Sequence, residues 1–305
     1  MPELPEVETI RRGLERVLVG RVVQHVEVSE KRSCTVSSQE LAAAIVGAQV
    51  ETVSRHGKLL IIGLDNALSL LTHLRMTGQL IFKAADVDTG LEASGAFPDK
   101  WESDFGGGYP NQSFIGNLPD KTTRIIFTFS DGSHLYFNDQ RKFGYVKPVP
   151  TGEVQLDDFV ASLGPEPLDP CFSAEDFAAR LPKGSKRSVK SVLLDQSTVT
   201  GIGNIYADES LFLARILPSR TVASLTRSEI TALYAAIRSC MEQSIADGGS
   251  TMKDYVDSEG LRGEYLDLHA TVFNRAGLPC RVCGAPIRKT KVAGRGTHYC
   301  ENCQK

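Results

Sequence analysis

Pro2 and Glu3 stand side by side at the head of Met1-Pro2-Glu3-Leu4-Pro5-Glu6-Val7-Glu8. Removal of Met1 is expected before so small a residue, and it leaves Pro2 with a free secondary amine. An α-amino group has a pKa of roughly 7.7–8.0, so a sizeable neutral, nucleophilic fraction exists at neutral pH. A secondary amine that attacks a carbonyl-like carbon forms an iminium, which is covalent catalysis. A plainer reading also fits. Proline is favoured in the first helical turn, and glutamate suits the positive end of a helix. On these residues alone the plainer reading is favoured, and both stay open.

The second set is metal-ligating. Cys280-x-x-Cys283 and Cys300-x-x-Cys303 are separated by sixteen residues. That spacing fits a four-thiolate structural zinc site, and a closed Cys₄ site does no chemistry of its own. The intervening runs 287–290 and 297–299 read as two strands of a hairpin, which would present Arg295. An arginine so placed suits a phosphate. From Cys280 to Lys305 the net charge is +5, and Lys183, Lys186, Arg187 and Lys190 form a second basic run. Basic patches steer toward phosphate, although either patch alone is compatible with a solvated face.

Other candidates are weaker taken singly. Thr200-Gly201-Ile202-Gly203-Asn204 lies between two helical patterns. Its glycines allow close backbone approach, so N–H groups at the following helix start, with the Asn204 amide, could hold a phosphate. A simple helix–helix turn explains them equally well. Lys58 follows Arg55-His56-Gly57 and reads as an edge lysine. His73-Leu74-Arg75-Met76 ends an apolar run, and a methionine there is ordinarily core. Asp139-Gln140-Arg141-Lys142-Phe143-Gly144 sets an aromatic among basic residues, a composition suited to wedging between stacked bases.

The elements that must position these residues are legible in outline. A chain of 305 residues suits about two domains, and 41% hydrophobic content is ordinary for a globular protein. The 34 basic and 37 acidic residues give a net charge of −3, which does not itself advertise nucleic acid. No apolar run reaches 18 residues and the acidic start lacks a signal-peptide pattern, so no membrane association and a cytoplasmic location are expected. Seven cysteines, an odd number, argue against a disulfide framework. Cys34, Cys171 and Cys240 are expected to be small buried hydrophobes.

Val7, Ile10, Leu14 and Val17 recur at helical spacing over 3–18. Strand-like runs follow at 22–28, 50–53, 59–64, 68–74, 125–129 and 135–137. Residues 84–121, rich in Gly, Asp, Pro and Ser, are expected to form a mobile loop insertion. Prolines between 148 and 170 read as a linker. Helical patterns then occupy 174–181, 189–194, 204–214 and 228–245.

The chain resembles the bacterial formamidopyrimidine-DNA glycosylases of the Fpg/Nei family. The resemblance rests on PELPEVETIRRGLE, HLRMTGQL, DQRKFG, LGPEPL, TGIGNIYADESLF, GGSTMKDY, PCRVCGAPI and HYCENCQK. It covers nearly the whole chain apart from 84–121. It implies an α+β fold with an N-terminal helix and β-sandwich (1–149), a helix–two-turn–helix domain (150–270) and a zinc-finger hairpin (271–305). It also implies a bifunctional glycosylase and abasic-site lyase in base-excision repair. Such an enzyme acts as a monomer on duplex DNA carrying oxidised purines or abasic sites, in the bacterial cytosol and nucleoid.

Roles follow at matching positions. Pro2 resembles the nucleophile that attacks C1′. Glu3 resembles the acid that assists opening of the deoxyribose, and Glu6 a supporting carboxylate. Lys58 resembles a lysine near the lesion phosphate. Asn204 and Arg295 match a pair that pinches the backbone, Lys190 a further phosphate contact, and His73 a DNA-contacting residue. Met76, Arg141 and Phe143 match the residues that fill the gap left by a flipped base. Cys280, Cys283, Cys300 and Cys303 would hold one Zn²⁺. The opening Pro-Glu-Leu-Pro-Glu favours the purine branch over the pyrimidine-lesion branch. Leu266 departs from the glutamine expected in the loop 257–266 that closes over the base. A non-catalytic DNA-binding protein is the third reading, and the intact Pro2-Glu3-Glu6 set speaks against it.

Overall fold

Helix α1 (Leu4–Leu18) forms where apolar residues repeat every three or four positions, and Val7, Ile10, Leu14 and Leu18 are all buried. The computed structural model describes residues 1–85, 105–108, 118–250 and 263–305. They fall into two compact units. One comprises Met1–Pro2, Glu6–Asp157 and Gly248–Gly263; the other comprises Glu3–Pro5, Asp158–Asp247 and Glu264–Lys305.

The first unit contains most of α1 and, in chain order, β1 (Val23–Val28), α2 (Ser38–Ile45), β2 (Val50–His56), β3 (Leu59–Leu64), β4 (Leu68–His73), β5 (Gly78–Lys83), β6 (Phe105–Gly108), β7 (Thr123–Phe129), β8 (His134–Asp139) and β9 (Tyr145–Pro150). Two antiparallel sheets result, one ordered β1-β7-β8-β5-β6 and the other β2-β3-β4-β9. Val26, Phe82, Ile125 and Phe137 of the first sheet share one core with Val53, Ile62, Leu70 and Val146 of the second. That is a β-sandwich fronted by a helix, as expected. Strand β7 alternates strictly, with Thr123, Ile125, Phe127 and Phe129 buried.

In this unit four elements went unforeseen. Pro148 and Pro150 suggested a linker but lie in β9, an edge strand that, among the described residues, forms a ladder with β4 and a single bridge from Val146 to Cys34. Proline is tolerated there because one side of the strand makes no ladder bonds. Helix α2 starts at a capping box: Ser37 Oγ accepts from Glu40 N, and Glu40 accepts from Ser37 N. Strand β5 is a short apolar run that begins at Gly78. A Cβ at that glycine would lie 2.4 Å from the Leu74 carbonyl oxygen. Strand β6 falls inside 84–121; the rest of that segment beyond 85 and before 118 lies outside the described residues.

The second unit carries α3 (Asp158–Ala161), α4 (Ala174–Arg180), α5 (Val189–Leu193), α6 (Asn204–Leu213), α7 (Arg227–Ala246), α8 (Tyr265–Leu268) and the hairpin of β10 (Arg288–Val292) and β11 (Arg295–Tyr299). Its core joins Leu4, Phe177, Val192, Ile202, Tyr206, Leu233 and Met241. Capping boxes at Ser173 and Thr226 open α4 and α7. A two-residue turn, Ala293-Gly294 with φ of 48° and 76°, joins β10 to β11. Positive φ at both positions is the hairpin geometry that matches strand twist, and it places Arg295 directly after the turn. Cys34 and Cys240 are buried as expected, whereas Cys171 is exposed beside the short α4. Among the described residues no helix is long and apolar enough to cross a membrane.

Candidate functional site

Glu3 is 4% exposed, and its position explains the glycine turn. Its Oε2 accepts from Gly203 N at 2.8 Å and Tyr206 N at 3.4 Å, and Oε1 accepts from Ile205 N at 3.0 Å. The carboxylate thus sits at the N-terminus of α6, where unpaired amides and the helix dipole favour a negative charge. These amides were candidates for a phosphate; they hold Glu3 instead. The approach is possible because residue 203 is glycine. A Cβ there would lie 2.2 Å from Glu3 Cδ, and one at Gly201 would lie 2.5 Å from Leu4 Cδ1. Gly201 also has φ of +88°, and its carbonyl accepts from Leu4 N at 3.0 Å. The Pro-Glu-Leu and Gly-Ile-Gly-Asn sequences, two hundred residues apart, therefore fit each other directly.

Pro2, preceding Glu3 in the chain, is buried. Glu6 is 2% exposed, and its Oε1 accepts from Ser250 N at 2.9 Å and Ser250 Oγ at 2.8 Å. Gly248 and Gly249, with φ of 73° and 95°, turn the chain into that contact. Ser250 was not foreseen as a site residue. The loop expected over a flipped base, 257–266, lies outside the described residues through position 262; Leu266 lies in α8.

In the first unit Lys58 occupies the two-residue Gly57-Lys58 connection between β2 and β3, with Gly57 at φ 57°, and its residue is mostly buried. His73 ends β4. Burial, with the charges of Arg75 and Lys58, lowers its pKa from 6.5 to about 3. Its Nδ1 accepts from Arg75 N at 3.0 Å, so the ring is neutral with its proton on Nε2.

Met76, Arg141 and Phe143 come together at one tip of this unit. Arg141 Nη1 donates to Met76 Sδ at 3.0 Å, and its guanidinium lies 5.0 Å from the Phe143 ring centroid. Met76 and Phe143 are 42% and 56% exposed. Large apolar side chains left in water call for a partner surface. The tip is built on Asp139, which is fully buried. Its Oδ1 accepts from Arg141 N at 3.1 Å and from Thr77 Oγ1. Its Oδ2 accepts from Phe143 N at 2.8 Å and Gly144 N at 2.7 Å. Residue reading named the tip but not this anchor, although an aspartate two residues before such a loop is a known turn device.

In the second unit, Lys190 is inaccessible to solvent. Its ammonium donates to Asp208 Oδ1 at 2.6 Å, Gly296 O at 3.0 Å and Thr297 Oγ1 at 2.9 Å. Those three bonds use its three donors. Burial pushes its pKa down, against the pull of Asp208. Asn204 Nδ2 donates to the same Gly296 carbonyl at 2.9 Å, while Arg295 is exposed. Glu209 is 1% exposed and accepts from Thr271 N, Val272 N and Phe273 N at 2.8, 2.9 and 2.7 Å. Two consecutive acids in a mostly buried helix were the available signal for these anchors, since a buried carboxylate needs partners.

The four cysteines of the hairpin have Sγ atoms all within 4.8 Å of one another. Cys280 and Cys303 are 3.9 Å apart, and Cys283 and Cys300 3.5 Å. A tetrahedral Zn²⁺ with bonds of about 2.3 Å sets its sulfurs about 3.8 Å apart. The donor set fits one structural Zn²⁺, which would cross-link the ends of the hairpin and so support Arg295.

Comparisons with known proteins agree with this layout. Family models match in order along the chain: formamidopyrimidine-DNA glycosylase N-terminal domain at 1–146, its H2TH domain at 163–256, and a zinc finger found in FPG and IleRS at 277–305. The formamidopyrimidine-DNA glycosylase of Desulforamulus reducens is 40% identical, with 100% of this chain and 99% of the relative aligned. That of Listeria innocua is 38% identical, with 100% of both covered. Among solved structures, a Lactococcus lactis FPG variant in complex with Fapy-dG containing DNA superposes with a TM-score of 0.83 at 32% identity, over 100% of both chains. The Lactococcus lactis protein with abasic-site DNA gives 0.82 at 31%, over 99% of both. With oxidized-pyrimidine DNA it gives 0.81 at 32%, over 100% of both. Full-length relatives at this identity, matched domain by domain, place the chain in the formamidopyrimidine-DNA glycosylase family.

Proposed function

We propose that this protein excises oxidised purines, formamidopyrimidines and 8-oxoguanine among them, from duplex DNA and then cleaves the strand at the abasic site. The observation that carries the reading is Glu3, directly after Pro2, seated on the amides of Gly203, Ile205 and Tyr206 where the glycine turn enters α6. A protein that only bound DNA would have no use for an N-terminal secondary amine held beside an oriented carboxylate.

With Met1 removed, the Pro2 amine attacks C1′ of the damaged nucleotide. The N–C1′ bond forms as the glycosidic bond breaks, and the base leaves with a proton. Glu3 protonates the ring oxygen as the deoxyribose opens to an iminium. The iminium acidifies the C2′ proton; its loss expels the 3′ phosphate, and a second elimination expels the 5′ phosphate. Attack requires an extruded nucleotide, because a duplex hides C1′. Met76, Arg141 and Phe143 fill the vacated stack and offset part of the few kcal/mol that extrusion costs. Asn204 and Arg295 grip phosphates, with Lys58 on the other unit and the neutral His73 as an Nε2–H donor. Lys190 acts on phosphate through the hairpin it supports. The division of labour is then catalysis by 1–149, strand gripping by 150–270 and finger contacts by 271–305. The reading also places the protein with chromosomal DNA in the bacterial cytosol.

Borohydride reduction on 8-oxoguanine duplex is expected to trap one covalent protein–DNA adduct. Failure to trap, or equal trapping by Pro2→Gly, sinks the mechanism. The oxidised-pyrimidine complex of the Lactococcus lactis relative favours a second, overlapping reading in which oxidised pyrimidines are also taken. Excision rates on 8-oxoguanine and thymine glycol duplexes rank the two.

A further inference from the structure

Asp208 touches nothing that reacts, yet it ties together the parts that would grip the strand. It is fully buried on α6, four residues after Asn204. Its Oδ1 accepts from Lys190 Nζ at 2.6 Å and its Oδ2 from His298 N at 2.8 Å, so one carboxylate joins α5, α6 and β11. Lys190 passes the restraint on to Gly296 O and Thr297 Oγ1. The Gly296 carbonyl, one residue after Arg295, is also held by Asn204 Nδ2 at 2.9 Å. A buried ammonium is costly unless paired, so Lys190 keeps its place between helix and hairpin only while Asp208 is ionised opposite it.

We propose that Asp208 is a positioning residue for strand binding: through Lys190 it sets the register of β11 against the first turn of α6, and so the spacing of Asn204 and Arg295 on the DNA backbone. The inference rests on the functional reading above. A neutral amide donor and a guanidinium at a fixed separation match two phosphates, whereas a hairpin free to shift loses the Arg295 contact. Losing that one cationic contact lowers the slope of log K against log salt by about 0.9 on duplex DNA.

The test uses the full-length, zinc-loaded protein and a duplex carrying a tetrahydrofuran abasic analogue. Asp208→Asn keeps an acceptor for His298 N and removes the charge. It is expected to raise Kd about 10-fold or more and to make the salt slope shallower by about one phosphate. Zinc content should stay at one per chain. In an Arg295→Ala background the same change should add less than about 2-fold. Asp208→Asn within 2-fold of wild type, or a loss that multiplies fully with Arg295→Ala, overturns the proposal. If the lone buried ammonium prevents folding, Asp208→Asn with Lys190→Met removes both charges at similar volume. That variant is expected to fold and still to bind weakly; wild-type affinity from it overturns the proposal. Wild-type protein in the borohydride assay separates the two levels. No wild-type adduct strikes the functional reading, while normal wild-type trapping with unchanged Asp208→Asn binding strikes this inference alone.

Discussion

Gly203→Ala tests the join between the N-terminus and the glycine turn with one methyl group. Gly203 has φ of −128° and ψ of −159°, extended backbone that alanine adopts without strain. Any effect must therefore come from the new Cβ. That atom would lie 2.2 Å from Glu3 Cδ and 2.4 Å from Oε1, where ordinary contact begins near 3.4 Å, so the carboxylate must retreat by 1.2 Å or the turn must open. Full expulsion would forfeit the two shorter hydrogen bonds, from Gly203 and Ile205. At about 1.5–3 kcal/mol each for a charged acceptor, that is about 3–6 kcal/mol. Relaxation around one added methyl lowers the expected stability loss to about 1–3 kcal/mol. The larger effect falls on rate. A misplacement of about 1 Å at a reacting group costs about 100-fold, so single-turnover excision and strand incision should fall by that factor. DNA affinity should change little, because Glu3 is not a phosphate contact. In a Glu3→Gln background, where the carboxylate is already disabled, Gly203→Ala should add less than about 3-fold. Wild-type turnover by Gly203→Ala refutes the reasoning, and so does an undiminished loss on top of Glu3→Gln.

Three further outcomes are expected. Removing Asp139 as Asp139→Ala takes the acceptor from Thr77 Oγ1, Phe143 N and Gly144 N at the Met76–Arg141–Phe143 tip, while Arg141 N keeps Thr77 Oγ1. At least about 2 kcal/mol of stability should go, measured by chemical denaturation, with excision falling further than abasic-strand incision. His73 has its pKa lowered from 6.5 to about 3 in the folded chain, so below pH 6.5 the unfolded state binds the extra proton and stability falls as pH falls. Between pH 7 and pH 5 that amounts to about 2 kcal/mol, which His73→Gln should abolish from the pH dependence of unfolding; an unchanged pH profile removes His73 as the cause. Chelation of zinc, or Cys300→Ser, should unfold the 277–305 hairpin and abolish lesion binding while the first unit's melting transition persists. One zinc per chain by elemental analysis and restored binding on re-addition complete that test.

Long periodic segments were legible because their cause is local. The spacing of Val7, Ile10 and Leu14 dictates a helix whatever lies around it, and the register of β3 and β4 follows from short apolar runs between turns. The cysteine spacing likewise carried its ligand set in two short motifs. Strand β9 was not legible, because two prolines argue against a strand unless it lies at an edge, and edge position is a property of the assembled sheet. Helix α2 could have been found from Ser37 and Glu40 alone.

What the sequence by itself determined are residue types that no neighbour can supply: a proline at position 2 followed by a glutamate, four cysteines in two pairs, an aromatic among cations. Tertiary structure decided which of these meet and in what ionic state. Only folding shows that the amides at the start of α6 are taken by Glu3, that His73 is neutral, and that Lys190 is buried against Asp208. The reason is physical. Residue type sets what a group is able to donate, accept or ligate, but desolvation and the partner within about 3 Å decide what it does. Those partners lie 200 residues away for Glu3, and for Lys190 18 residues away at Asp208 and 106 at Gly296. Pro2 and Glu3 supply the chemistry, and the glycine that lets Glu3 approach α6 is what turns an ordinary helix start into a site.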